Sequence, residues 1–328
     1  MLRFIRSFVV LTAVSVAGHA EASGLTRTFV SSTGSDSNPC TTAAPCATFA
    51  AAYAAVAPNG IVAALDPGKY GPVTISGPVT IDGHGWAAIT APAATGNEVT
   101  AAITVEAQPN DAVILSGLLM DGQASPRQML GPPENVGIQF YSGLSLTVID
   151  CDIRNMTGNG IVFLPASDTP TTLTVSRSRF VDNLVTGLGV DNVGTGAVTV
   201  SVDRSIFDHN GYGFGIDADD PGGVSATVTN SVASNNTNDG FSVQNNNTGA
   251  NAGVTLTLTR SQASGNGAGL DALSANATIY VGQSTISDNG AAFQMQDGAQ
   301  DGAIISYGDN YFDNNGAGSG TLGSAVKQ

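Results

Sequence analysis

The sequence has little charge, few aromatic residues and almost no cysteine. Of its 328 residues only 11% are charged and 6% are aromatic, and there are 3 cysteines. Acidic residues outnumber basic ones by 26 to 11, and the formal net charge is −15, which argues against a nucleic acid held by bulk electrostatic attraction. No apolar run is long enough to span a membrane. The scarcity of aromatic residues predicts a narrow interior filled by Ala, Val, Ile and Leu.

The N-terminus has the three parts of a signal peptide. Arg3 and Arg6 provide the basic start, residues 8–17 the short apolar run, and Ala20-Glu-Ala22 the small-residue cleavage site. We therefore expect residues 1–22 to be removed. The mature chain would be secreted or periplasmic and would have no transmembrane segment.

The cysteines agree with an exported protein. Cys40 and Cys46 lie close together in one loop, and in an oxidising compartment this spacing predicts a local disulfide. Cys151 occupies a position that other repeats fill with serine, so we interpret it as a small buried residue rather than as a nucleophile.

A short pattern recurs from Leu146 to Asn315 at intervals of 23 to 30 residues. One position, called here the serine column, holds Cys151, Ser178, Ser205, Ser231, Ser261, Ser284 and Asn310. Five positions later, after Met156 in the first repeat, comes the asparagine column of Asn183, Asn210, Asn236, Asn266, Asn289 and Asn315. Self-similarity at this period is the signature of a solenoid.

Each repeat contains three short stretches in which apolar and polar residues alternate. In one repeat these are Leu173–Val175, the stretch through Ser178 and Phe180, and Leu188–Val190. Such alternation predicts three strands per coil that feed one interior, with equivalent strands stacked in parallel. The asparagine column then falls at a bend, where a side-chain amide can bond to backbone groups that the bend leaves without partners.

The chain divides into four parts on this interpretation. After the signal peptide, residues 23–60 contain the cysteine loop and an Ala-rich helix, about Thr48 to Val56, which would cap the open end of the stack. The solenoid occupies residues 61–316, and residues 317–328 form a C-terminal tail.

These features resemble the right-handed parallel β-helix superfamily, the pectate-lyase-like fold. The resemblance covers about residues 45–316 and rests on the three strands per coil, the interior serine stack, the asparagine ladder and the N-terminal helix after a Pro-Cys segment. It implies an all-β fold. It says little about function, because the fold hosts lyases, glycoside hydrolases, epimerases, esterases and adhesins. A leucine-rich repeat is the alternative, but its leucine pattern is missing.

Most of the basic residues of the solenoid cluster beside the serine column. The candidate catalytic residues are Arg177, Arg179, Arg204, Asp150 and Asp152, and the candidate substrate-binding residues are Arg154 and Arg260. The resemblance implies how such residues could act, because polysaccharide lyases of that superfamily use Arg or Lys as a base. A guanidinium group can also bind a uronate carboxylate through two parallel hydrogen bonds. The alternative is Asp–Arg pairing between coils on an exposed face, which contributes about 0–1 kcal/mol per pair.

Acidic residues gather in the loop after the third strand. Asp217, Asp219 and Asp220 are candidate Ca²⁺ ligands, because this ion takes oxygen ligands in flexible geometry. They are equally ordinary residues of a solvated turn, and no cofactor is required. Asp82-Gly-His-Gly85 resembles a motif of polygalacturonase-like hydrolases, but the partner motifs are missing, so we interpret His84 as a turn residue.

Two functions follow from these observations. The first is an exported β-helix that binds polysaccharide at the cell surface or outside the cell, with no intact catalytic motif. The second is a lyase or epimerase that acts on acidic, uronate-containing polysaccharide through the arginine cluster. The sequence specifies no oligomeric state.

Overall fold

The computed structural model describes residues 24–96, 98–123, 134–218, 222–246, 253–295 and 302–325. The predicted signal peptide lies outside the described residues. Within them the chain forms one helix, α1 (Phe49–Ala55), and 29 strands. The strands before the regular coils are β1 (Leu25–Val30), β2 (Val56–Ala64), β3 (Gly68–Lys69), β4 (Val73–Ile75), β5 (Val79–Thr90), β6 (Val99–Glu106), β7 (Ala112–Asp121) and β8 (Glu134–Ser142).

The remaining strands follow the predicted three-strand repeat. They are β9 (Ser145–Ile149), β10 (Asp152–Arg154), β11 (Ile161–Phe163), β12 (Thr171–Ser176), β13 (Arg179–Val181), β14 (Thr186–Asn192), β15 (Val198–Asp203), β16 (Ile206–Asp208), β17 (Tyr212–Ala218), β18 (Val224–Thr229), β19 (Val232–Ser234), β20 (Asp239–Asn245), β21 (Val254–Thr259), β22 (Gln262–Ser264), β23 (Ala268–Ala272), β24 (Ala277–Gly282), β25 (Thr285–Ser287), β26 (Ala291–Met295), β27 (Ala303–Ser306), β28 (Tyr311–Asp313) and β29 (Gly323–Ser324).

Equivalent strands of successive coils pair in parallel and in register. Leu173 aligns with Val200, Phe180 with Phe207, and Leu188 with Phe214. The third strands form one nine-stranded sheet, whereas the first and second strands merge into a second sheet because β5 and β7 each run through both positions. The inward residues are almost completely buried and fill one continuous core, as predicted.

The first bend of each coil was not predicted. In successive coils it is formed by one residue in the left-handed backbone region, namely Gly117, Asp150, Arg177, Arg204, Asn230, Arg260 and Gln283. The serine column follows at once, so Ser178 precedes β13 instead of lying within it. A left-handed conformation costs an L-residue roughly 1–2 kcal/mol. The positions in front of the serine column are therefore backbone corners as well as surface positions.

The serine column joins neighbouring coils inside the core. The Ser178 hydroxyl donates to the Ser176 carbonyl at 3.0 Å and accepts the Cys151 backbone N–H at 3.2 Å. The same pair of bonds recurs at Ser205, Ser231 and Ser261. The orphaned N–H at each first bend is thus satisfied by the next coil.

The asparagine column does the same at the second bend. The Oδ1 of Asn236 accepts the backbone N–H of Asn210 at 2.9 Å, and its Nδ2 donates to the Phe207 carbonyl at 3.2 Å. Its Nδ2 also donates to Oδ1 of Asn266 at 2.8 Å. This ladder continues to Asn315. It confirms the role predicted for these residues.

The N-terminal region closes one end of the stack. Thr48 caps helix α1, whose buried residues are Phe49 and Ala52. The Cys40–Cys46 disulfide is formed, with the two Cα atoms 4.7 Å apart.

The Tyr70 hydroxyl and the backbone N–H of Ser32 hold the pKa of Asp66 down at about 2.

The parallel pairing extends beyond the predicted solenoid bounds of 61–316. Strand β1 pairs with β2, which begins at Val56, and β29 pairs with β27. The sequence predicted a short strand over Thr26–Ser31, which is β1, but placed it outside the stack. Strand β29 was missed, because the tail contains neither the serine nor the asparagine signal. Both strands cover sheet positions at either end, so the segments assigned as N-terminal region and tail contribute to the stack.

We expect Asn236→Ala to destabilise the protein by about 3 kcal/mol, because it leaves the buried Asn210 N–H and the Phe207 carbonyl without partners. Urea unfolding followed by circular dichroism measures the loss. The control is Asn238→Ala in the same coil, an exposed residue whose replacement should change stability by less than about 0.5 kcal/mol. Equal losses for the two variants would contradict the ladder's role.

Candidate functional site

The arginine cluster lies where the sequence predicted, along the first bend and the second strand. Arg177 donates from Nε and Nη2 to the two carboxylate oxygens of Asp150, both at 2.8 Å. Nη1 of Arg179 lies 3.3 Å from Oδ2 of Asp152 in the preceding coil. The hydrogen bond from Arg177 lowers the pKa of Asp150.

The other three arginines are paired as well. Arg204 donates to Asp203, its neighbour in the chain, at 2.7 Å, and Arg260 donates to Asn230 at 3.1 Å. Nε of Arg154 lies 3.7 Å from Oδ2 of Asp121. These side chains are strongly exposed. Arg154, Arg177 and Arg179 thus form the ion pairs between coils that the alternative interpretation predicts. Arg204 pairs within its own coil and Arg260 with an amide. The catalytic and substrate-binding roles stay predictions.

The proposed calcium ligands are only partly described. Asp217 lies in β17 in register with Asp191, and its Oδ1 accepts from Nδ2 of Asn246 at 2.7 Å. Asp219 and Asp220 lie outside the described residues. Within the described part of the chain, no group of three or more His, Cys, Asp or Glu side chains could hold a metal ion. His84 sits at a left-handed bend and stacks on Trp86, consistent with a turn residue.

A groove of about 390 Å³ runs over the outer face of the third strands. We call it the third-strand groove. Its floor is formed by the outward residue at the centre of each strand. In three successive coils these residues are Gly189, Gly215 and Ser242. These small residues leave a depression between two rows of longer side chains. One row contains Thr186, Tyr212 and Asp239, and the other contains Asp191, Asp217 and Gln244.

Two buried carboxyl groups meet at one end of this groove. Asp271 aligns with Ser242 and is 4% exposed, whereas Asp239 belongs to the wall and is 8% exposed. Their side chains are in hydrogen-bonding contact, and Oδ1 of Asp271 receives no hydrogen bond from a donor among the described residues. Burial raises the pKa of both groups, and the negative charge of Asp239 raises that of Asp271 further. Two buried carboxyl groups in contact favour the state in which they share one proton.

Tyr212 links this pair to the open part of the groove. Its side chain is 37% exposed, and burial, together with the charges of Asp239 and Asp271, raises the pKa of the phenol. The phenol is thus a neutral hydrogen-bonding group beside a carboxyl pair that can both donate and accept. This combination suits hydroxyl groups on a ligand.

The third-strand groove was not predicted from the sequence. Asp271 lies in the third strand β23, where the equivalent residues of the two preceding coils are Ser242 and Gly215. A carboxylate at an outward strand position is unremarkable on its own. Only the stacking shows that Asp239 of the preceding coil is beside it. The paired glycines were the available signal, because they recur at the same position in adjacent coils.

Comparison with known proteins gives the fold and little more. No protein-family model matches the sequence, and neither does a curated protein. Among solved structures, the pectate lyase Pel9A is similar with a TM-score of 0.51 and 18% identity, over 92% of this chain and 78% of that one. Tailspike protein 2 of the Escherichia coli O157:H7 bacteriophage CAB120 is similar with a TM-score of 0.54 and 11% identity, over 80% of this chain and 38% of that one.

The chain is therefore a right-handed parallel β-helix, as the resemblance implied. At these identities the likeness extends to the fold alone. No helix in the described ranges is long and apolar enough to cross a membrane.

The carboxyl pair predicts a pH-dependent stability. Because the folded-state pKa of both groups is raised, the contribution of this pair to the free energy of unfolding is lost as pH rises from the ordinary carboxyl value of 3.8 to about 8. Asp271→Asn removes one charge, so its melting temperature should exceed that of the wild type above this window and match it more closely below. Thermal melts at the two pH extremes measure the difference.

The matched control is Asp313→Asn, an exposed carboxylate on β28 outside the groove. A stabilisation of Asp271→Asn that is the same at both extremes, or a destabilisation at high pH, would contradict the shared proton.

Proposed function

We propose that this protein binds a polysaccharide chain in the third-strand groove. The observation that carries the proposal is the shape of the groove, with a glycine floor between two rows of hydrogen-bonding side chains. A sugar ring needs this arrangement, because its edges carry hydroxyl groups and its faces are flat. The exposed ring of Tyr212 offers a surface on which a sugar face can stack.

The groove has the length for a chain ligand. Its lining residues come from five successive coils, from Asn159 beside β11 to Leu273 beside β23. Coils repeat every 4.8 Å or so, which makes the groove about 19 Å long. An extended polymer that follows the axis of the solenoid would contact equivalent positions in each coil.

The charge of the groove restricts the polymer. Asp191, Asp217 and Asp239 line it, Asp271 adjoins it, and no lysine or arginine is among the lining residues. A uronate carboxylate would be repelled at this short range, where salt screens little. The groove therefore favours a neutral or amine-bearing polysaccharide over an acidic one.

The carboxyl pair fits binding better than hydrolysis. Glycoside hydrolases separate their two carboxyl groups by roughly 5 to 9.5 Å to accommodate the sugar or a water molecule. Asp239 and Asp271 are in direct contact, which is too close for either geometry. A lyase or epimerase acting on uronates is the alternative that depends on the arginine cluster, and the pairing of all five arginines weighs against it.

The proposed setting is extracytoplasmic. The Cys40–Cys46 disulfide is typical of proteins that fold in an oxidising compartment. The polysaccharide would then be bound at the cell surface or outside the cell.

Gly189→Val tests the groove without disturbing the core. An added Cβ at this floor position meets nothing closer than the Ile161 carbonyl at 3.7 Å, so valine should fold and fill the depression. We expect the variant to lose retention in affinity electrophoresis through gels that contain neutral β-glucans, galactomannan or chitosan. The wild type should be retarded by at least one of these polymers, and more weakly by pectate or alginate.

The control is Gly77→Val, whose Cβ would meet only the Tyr53 hydroxyl at 3.6 Å and which lies away from the groove. Equal retardation of the wild type and Gly189→Val would place binding elsewhere. A rise in unsaturated-uronate absorbance on pectate or alginate that is lost in Arg204→Ala would instead establish the lyase alternative.

A further inference from the structure

The outer face of the first strands carries an ordered array of hydroxyl groups. One row consists of the outward residues at the start of these strands, Ser145, Thr172, Thr199, Ser225, Thr255 and Thr278. The row beside it, two residues further along each strand, consists of Thr147, Thr174, Ser201, Thr227 and Thr257. We call these two rows the hydroxyl face. It lies on a different side of the coil from the third-strand groove.

The array is regular in two directions. The five pairings that connect β9 to β24 have no register shift, so each hydroxyl stands directly over its equivalent in the next coil. The spacing is about 4.8 Å between coils and about 6.6 Å between the two rows. Six coils make a strip about 24 Å long. Steady register also keeps each row straight, because no bulge displaces a residue from its row.

The hydroxyls of the two rows are available to an external partner. Their side chains are exposed or half-buried, and within the described ranges no hydroxyl of the two rows takes part in a side-chain hydrogen bond. Neither row contains a charged residue, although the net charge of the chain is −15. Asp203 and Tyr280 lie at the margins of the array.

We propose that the hydroxyl face binds the surface of ice. An ice surface is a neutral lattice of oxygen atoms that both donate and accept hydrogen bonds, with repeat distances of a few ångströms. A threonine or serine hydroxyl also donates and accepts. A rigid row of hydroxyls can therefore replace lattice water at several points at once, and the threonine methyl groups leave the intervening water weakly held.

Other occupants fit this face less well. Protein interfaces are built around aromatic and arginine anchors and are depleted in serine. A membrane surface attracts basic and apolar side chains, which the two rows lack. A single polysaccharide chain would find a concave site in the groove, whereas the hydroxyl face extends in two directions. A partner with its own two-dimensional lattice matches it best.

Thermal hysteresis and ice-recrystallisation inhibition of the purified mature chain test the proposal. We expect both activities in the wild type. Thr227→Lys places a long charged side chain in the middle of the array and should abolish most of the hysteresis. Thr174→Lys, two coils away in the same row, should do the same, so misfolding of one variant does not decide the result.

The matched control is Thr285→Lys, at an outward position of the second strand β25. It should retain full activity. Circular dichroism and melting temperature verify that each variant is folded. Absence of hysteresis and of recrystallisation inhibition in the wild type would overturn the proposal, and so would activity that survives in folded Thr227→Lys and Thr174→Lys.

Discussion

The bends of each coil depend on hydrogen bonds that the next coil supplies. A tight bend leaves backbone N–H groups without partners inside the core, and each such group costs about 1–3 kcal/mol if it stays unsatisfied. The serine hydroxyls satisfy the first bend and the asparagine amides satisfy the second. Because the acceptor always belongs to the following coil, no coil is stable alone. Stability grows with the number of stacked neighbours, and the ends need cover such as helix α1 and strand β29.

The register that stacks these interior groups also stacks the outer surface. Each outward residue lies beside the equivalent residues of the adjacent coils. A residue type that recurs at one position of the repeat therefore forms a continuous row on the surface. The chain thereby obtains chemically different faces from one repeat. Hydroxyl groups line the first strands, Arg–Asp pairs line the first bend and the second strand, and a glycine-floored groove runs over the third strands.

Stacking in fixed register also brings together two acidic side chains, and this contact costs free energy. Two buried acids in contact cannot both be ionised cheaply, and removal of water around Asp239 and Asp271 raises the pKa of each. The coil tolerates the pair because one proton can be shared. Cys151 shows the contrasting case, since burial raises the pKa of its thiol to about 12 and leaves it an inert member of the serine column.

The sequence by itself determined the repeat, the three strands per coil, the two interior columns and the local disulfide. These features are periodic or local, and alternation and spacing are enough to reveal them. Tertiary structure alone decided which outward residues meet. Arg177 pairs with Asp150 across one coil, yet Arg204 turns to its own neighbour Asp203. Asp239 contacts Asp271 although the two residues are not aligned, since Asp271 is in register with Ser242. Such contacts depend on the corner geometry and side-chain direction of two particular coils, and neither follows from the period.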